Sequence, residues 1–88
     1  MRTLAQNQAA ERDGPHCLWH KYRLGALMLA TDVHHLLGRK PGGDRHELCI
    51  SLCHRCHIAG NHAGRSPTRE ELKLLLFELY GYAQLTLD

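Results

Sequence analysis

Two short ligand pairs constrain this chain more than any other feature. Cys17-x-x-His20 and Cys53-x-x-Cys56 are separated by 32 intervening residues. Each has the spacing of a zinc half-site, in which two donors on one turn reach one ion. Together they make Cys3His, a closed structural set that would tie the early chain to its middle. The chain has only 88 residues. A domain of that size buries little core and commonly needs a metal, disulfides or a partner, and metal binding can supply much of its folding free energy. The plainer reading makes Cys17 a buried thiol and His20 a surface histidine. Cys49, the remaining cysteine, alternates with a strand pattern and reads as core.

Other metal chemistries share parts of this pattern. Cys53-His54-Arg55-Cys56-His57 also has the C-x-x-C-H spacing of c-type haem attachment. The N-terminal stretch "MRTLAQNQAAERDG" lacks the apolar core of a secretory signal. Nothing approaches the roughly 18 consecutive apolar residues of a membrane span. The chain therefore reads as cytoplasmic, with no membrane partner and with reduced thiols. That favours cysteines as ligands over disulfides. It disfavours haem, because covalent haem attachment usually occurs in exported proteins. A C2H2 finger needs a loop of about 12 residues between its Cys and His pairs, whereas His57 directly follows Cys56. A nucleobase deaminase needs H-x-E and P-C-x-x-C; here Leu52 precedes Cys53, and no H-x-E occurs. A thioredoxin-type pair needs a βαβ unit, for which the chain is too short.

The local signals predict a small α+β domain spanning residues 1–88, stabilised by zinc. Hydrophobic residues make up 43% and charged residues 23% of the sequence, a globular balance. A short, weakly amphipathic helix is expected over 1–13, with Thr3 and Gln6 as a capping box. Residues 14–65 hold the zinc clamp and the core. There "LGALMLA" fits a short helix or a strand, and "ATDVHHLL" and "ELCISL" read as two strands. The Gly-rich "GRKPGGDR" between them predicts a hairpin. A helix is expected to start near Cys53 and to end at Gly60 or Gly64. Residues 66–88 carry the strongest helix signal, with a Thr68/Glu71 capping box, Pro67 near the start and Gly81 as C-cap. Leu72, Leu75, Leu76, Leu79 and Tyr80 share one face of it.

Charge and histidines point toward function. Residues 14–65 carry seven Lys/Arg against three Asp/Glu, a balance of +4, while residues 66–88 carry −2. A basic excess around the Cys/His section suits a polyanion such as nucleic acid. Eight histidines are many for this length. If Cys53 and Cys56 hold zinc, His57 is left for another role, His62 follows on or near the same helix, and His34-His35 closes the first strand. Adjacent strand residues point to opposite faces, so His34 and His35 enter one site together only where the strand ends or bends.

The order C-x-x-H, "DVHHLLGR", a Gly-rich loop and "LCHRCH…H" resembles the HNH endonuclease family. The resemblance covers roughly Arg12 to His62, and "EELKLLLFELYGY" is similar to the helix that often follows in small phage-type members. It implies a ββα-metal (His-Me finger) core with flanking N- and C-terminal helices. It implies that His35 is the general base, that His34 and His57 ligate a catalytic divalent metal, and that His62 joins them. Asp32 is a lesser substitute for His34. The chain departs from the family at its middle residue, an Asn shortly before "LC": Leu48 falls there, or Glu47 with a one-residue slip.

The implied reaction is metal-dependent hydrolysis of DNA phosphodiester bonds. Its cofactors are a structural Zn2+ and one catalytic ion, Mg2+, Mn2+, Ni2+ or Zn2+. An all-histidine site suits the transition ions better than Mg2+. Arg39, Lys40, Arg45, Arg55 and Arg65 are the candidate phosphate contacts. Phage packaging or mobile-element proteins are the wider context that the resemblance implies. The rival reading is a catalytically impaired, zinc-stabilised module of the same fold that binds nucleic acid or protein.

Overall fold

A computed structural model describes residues 2–36, 45–62 and 64–82, with the side chains of Asn61 and His62 outside the description. Helix α1 spans Leu4–Asp13, strand β1 Asp32–His35, strand β2 Cys49–Leu52, helix α2 His54–His62 and helix α3 Arg69–Tyr80. A single π turn at His20–Leu24 follows Cys17, and a 3-10 turn at His46–Leu48 leads into β2. Much of the predicted Gly-rich loop, with Arg39 and Lys40, lies outside the described residues.

β1 and β2 pair antiparallel, with His34 opposite Ile50 and His35 opposite Cys49. Alternation divides their side chains between two faces. Leu36, Leu48, Ile50 and Leu52 join the main core with Leu72, Leu75 and Leu76 of α3 and with Cys17, Leu18, Trp19, Cys53 and Cys56. Val33 and Cys49, on the other face, pack against Ala5 and Ala9 of α1. Burying Cys49 agrees with its alternation in the sequence.

α1 is tied to the sheet more firmly than its weak amphipathicity suggests, because part of its buried face is polar. Gln6 donates to the Val33 carbonyl at one edge of the hairpin, at 2.8 Å. At the other edge Asp13 accepts from the Ser51 N–H at 2.9 Å, and Arg12 donates to the Cys49 and His46 carbonyls, each at 2.7 Å. These are backbone groups outside the two-strand ladder. A two-stranded sheet leaves such groups unpaired on both edges, a cost in burial and an invitation to aggregate. The buried Asp13 carboxylate is paired in turn with Arg12 and accepts from the Tyr80 hydroxyl at 2.8 Å. One side-chain network thus joins α1, β2 and the end of α3.

The capping boxes at Thr3/Gln6 and Thr68/Glu71 form as expected, and Gly81 closes α3 in the left-handed region. Pro67 precedes the cap residue Thr68 and is not in the first turn. Two other expectations are corrected. "LGALMLA" is neither helix nor strand: beyond left-handed Gly25 the chain runs irregularly to a single bridge between Leu29 and His16. Leu24, Leu27, Met28 and Leu29 are exposed there. Of the two glycines expected to end α2, left-handed Gly64 follows its last residue, His62, by two positions, but the other, Gly60, lies inside the helix. Its missing side chain serves packing, since a Cβ there would collide with the Pro67 carbonyl oxygen and come within 3.2 Å of the Thr68 Cα. Gly60→Ala should therefore lose about 1–3 kcal/mol to overpacking despite its better helix propensity. Urea denaturation measures this, and a stabilised variant would show that the approach is not tight.

Candidate metal centres

The first turn of α2 follows β2 with only Cys53 between them. Cys53, with Cys56 one turn on, faces the chain entering the π turn at His20. Four residues meet there: Cys17, His20, Cys53 and Cys56, with donor atoms all within 4.8 Å of one another. His20 Nδ1 lies 3.4 Å from Cys17 Sγ, 3.6 Å from Cys53 Sγ and 3.4 Å from Cys56 Sγ. Tetrahedral zinc, with bonds of about 2.3 Å to sulfur and about 2.0 Å to nitrogen, places N and S about 3.5 Å apart. The geometry therefore fits a zinc ion. The three cysteines are buried in the main core and form no disulfide. Burial, together with the neighbouring Cys53 and Cys17, pushes the Cys56 thiol well above its ordinary range. A divalent cation removes that penalty by stabilising the thiolates. The group can hold a structural metal such as zinc, as the two ligand pairs predicted.

A second group lies on the adjoining side of the same turn. Asp32 Oδ2 accepts from His57 Nδ1 at 2.7 Å and from His54 Nδ1 at 2.9 Å. The Thr31 hydroxyl bonds the other carboxylate oxygen at 3.0 Å. Burial opposes ionisation of Asp32, but the bonds from His57, His54 and Thr31 outweigh it and hold the carboxyl down at about 2. His34 shares the Asp32 face of β1, and its ring centroid is 4.7 Å from that of His57. Burial, reinforced by His57, His35 and Arg69, lowers His34 to about 4.

The structure thus brings His34 and His57 together. It does not turn His35 toward them. Pairing with Cys49 places His35 at the end of β1 on the face shared with Val33 and α1, and it is buried. His62 closes α2, with its side chain outside the described residues. Arg45, Arg55 and Arg65 are all exposed; Arg45 stands 3.8 Å from Glu47. Leu48, at the family's Asn position, is buried in the core. His54, which joins this group, was not among the residues expected from the sequence, and Asp32 stood there only as a substitute for His34. Two spacings carried the signal: Asp32 and His34 lie two apart on a strand, and His54 and His57 lie three apart on a helix.

No family profile, curated protein or solved structure matches the chain. No helix among the described residues is long and apolar enough to cross a membrane.

A histidine lowered to about 4 in the folded state favours the neutral ring. Its contribution to stability is complete above the ordinary pKa of about 6.5 and falls away as pH drops from there toward the folded value. The His34 ring resonances should therefore stay unchanged between about pH 8 and about pH 5.5, where an unperturbed histidine titrates. A midpoint near 6.5 for His34 would contradict its burial.

Proposed function

We propose that the protein is a metal-dependent DNA endonuclease of the HNH type, built on a ββα-metal core braced by zinc. The observation that carries this reading is the approach of His34 from β1 to His57 from α2, with ring centroids 4.7 Å apart. Neutral imidazoles from strand and helix are the donors that the resemblance expects for a catalytic ion. His34 and His57 would hold such an ion, Mg2+, Mn2+, Ni2+ or Zn2+, which would supply positive charge to the scissile phosphate and the leaving 3′ oxygen. The resemblance assigns the proton of the attacking water to His35, at the end of β1 on the face opposite to His34. Exposed Arg55 at the start of α2, Arg65 beyond it and Arg69 at the start of α3 hold the phosphate backbone. Binding through them weakens steeply with salt.

A second reading has its own support. His35 leaves the sheet on the face opposite to His34, and Leu48 occupies the Asn position as a core residue. Both favour a zinc-braced module that binds nucleic acid or protein without cutting.

Plasmid nicking assays with each of the four ions separate the readings. The endonuclease reading expects cleavage, lost by roughly 10²-fold or more in His35→Ala and also lost in His57→Ala, with zinc content and circular dichroism retained. Salt-sensitive DNA binding with no nicking under any ion supports the binding module instead.

A further inference from the structure

The motif C-H-R-C-H, from the residue before α2 through its first turn, interleaves two pairs. Cys53 and Cys56 are one pair, three residues apart, and His54 and His57 are the other. Successive helix residues are about 100° apart, so the imidazole pair is turned by one residue from the thiol pair. The thiols meet Cys17 and His20. The imidazoles meet Asp32, and the donor atoms of these three residues lie within 4.8 Å of one another.

A structural hydrogen bond needs only one imidazole on the carboxylate. Here two converge on a single oxygen, at 2.7 and 2.9 Å. Thr31 engages the other oxygen, so Oδ2 stays aimed between the rings. His57 also lies against His34. The cluster opens outward, because the His54 side chain is 70% exposed while Asp32 and His57 are 21% and 30% exposed.

We infer that Asp32, His54 and His57 form an open two-histidine, one-carboxylate site for a first-row transition-metal ion, with His34 beside His57 as a further donor. Imidazoles with one carboxylate suit Mn2+ through Zn2+ better than Mg2+, which prefers oxygen ligands. The exposed side leaves coordination positions for water or a phosphate oxygen. The inference rests on the preceding reading in placing an ion at His57. It goes further in assigning ligand roles to Asp32 and His54, of which the resemblance offers only Asp32, as a substitute.

The test is a Co2+ titration of tag-free, zinc-loaded protein, followed by calorimetry and by the histidine ring resonances. The expected result is about one equivalent of Co2+ beyond the zinc, with the His54 and His57 rings broadened. His54→Ala and the isosteric Asp32→Asn should each weaken Co2+ binding at least about tenfold, the scale of losing a metal-site partner, with zinc content unchanged. The inference is overturned if no further equivalent binds. It is equally overturned if His54→Ala binds Co2+ as tightly as the parent while His34→Ala does not. The last outcome, accompanied by plasmid nicking, leaves the endonuclease reading intact. Co2+ binding as described, without nicking under any ion, removes that reading and leaves the site.

Discussion

The rest of this structure depends on the convergence of three buried thiols and one imidazole at the start of α2. In a larger protein, apolar burial alone could fix the position of a helix after a hairpin. Here the main core is small and is itself partly made of Cys17, Cys53 and Cys56. Burial beside Cys53 and Cys17 makes the Cys56 thiol resist becoming a thiolate without a counter-charge. A single divalent ion held by these four residues would convert that conflict into cohesion and fix the turn after Cys17 against the hairpin and α2. The same turn carries His54 and His57, so whatever fixes the thiol side also sets the direction of the imidazole side.

The hairpin is held from its other face by a different means. A two-stranded sheet is marginal in water, and its edges expose unpaired backbone groups. α1 crosses the sheet and satisfies groups on both edges through Gln6, Arg12 and Asp13. The buried Asp13 is tolerable because Arg12, the Ser51 N–H and the Tyr80 hydroxyl all pair with it. Removing Arg12 from this set leaves an uncompensated buried charge, a loss of about 3–5 kcal/mol. The Arg12 guanidinium also lies 4.5 Å from the centre of the Tyr80 ring, so the end of α3 belongs to the same unit.

What was legible in the sequence had a local cause. Thr3/Gln6 and Thr68/Glu71 announce helix starts because each box is closed by residues three apart. The Cys3His group was readable because each of its two pairs has the spacing of a tight turn, and the alternation around Cys49 gave its burial. The face of α1 was not readable, since Gln6 and Asp13 look solvent-exposed until the strand edges they serve are in place. "LGALMLA" looked like a regular element because apolar residues usually seek a partner, yet most of its large side chains stay exposed. Gly60 read as a helix stop because its reason is a contact with Pro67, which no local pattern encodes. His54 escaped attention because it is hidden between two cysteines, and Asp32 stood only as a substitute for His34 because it lies 21 residues before Cys53 in the sequence.

X-ray absorption at the zinc edge of the purified protein tests the central claim most directly. The account predicts about one zinc per chain with three sulfur neighbours at about 2.3 Å and one nitrogen at about 2.0 Å. Serine at Cys17 or Cys56 should remove sulfur from that shell or abolish zinc binding. A folded protein without zinc, or zinc bound only through nitrogen and oxygen, would contradict it.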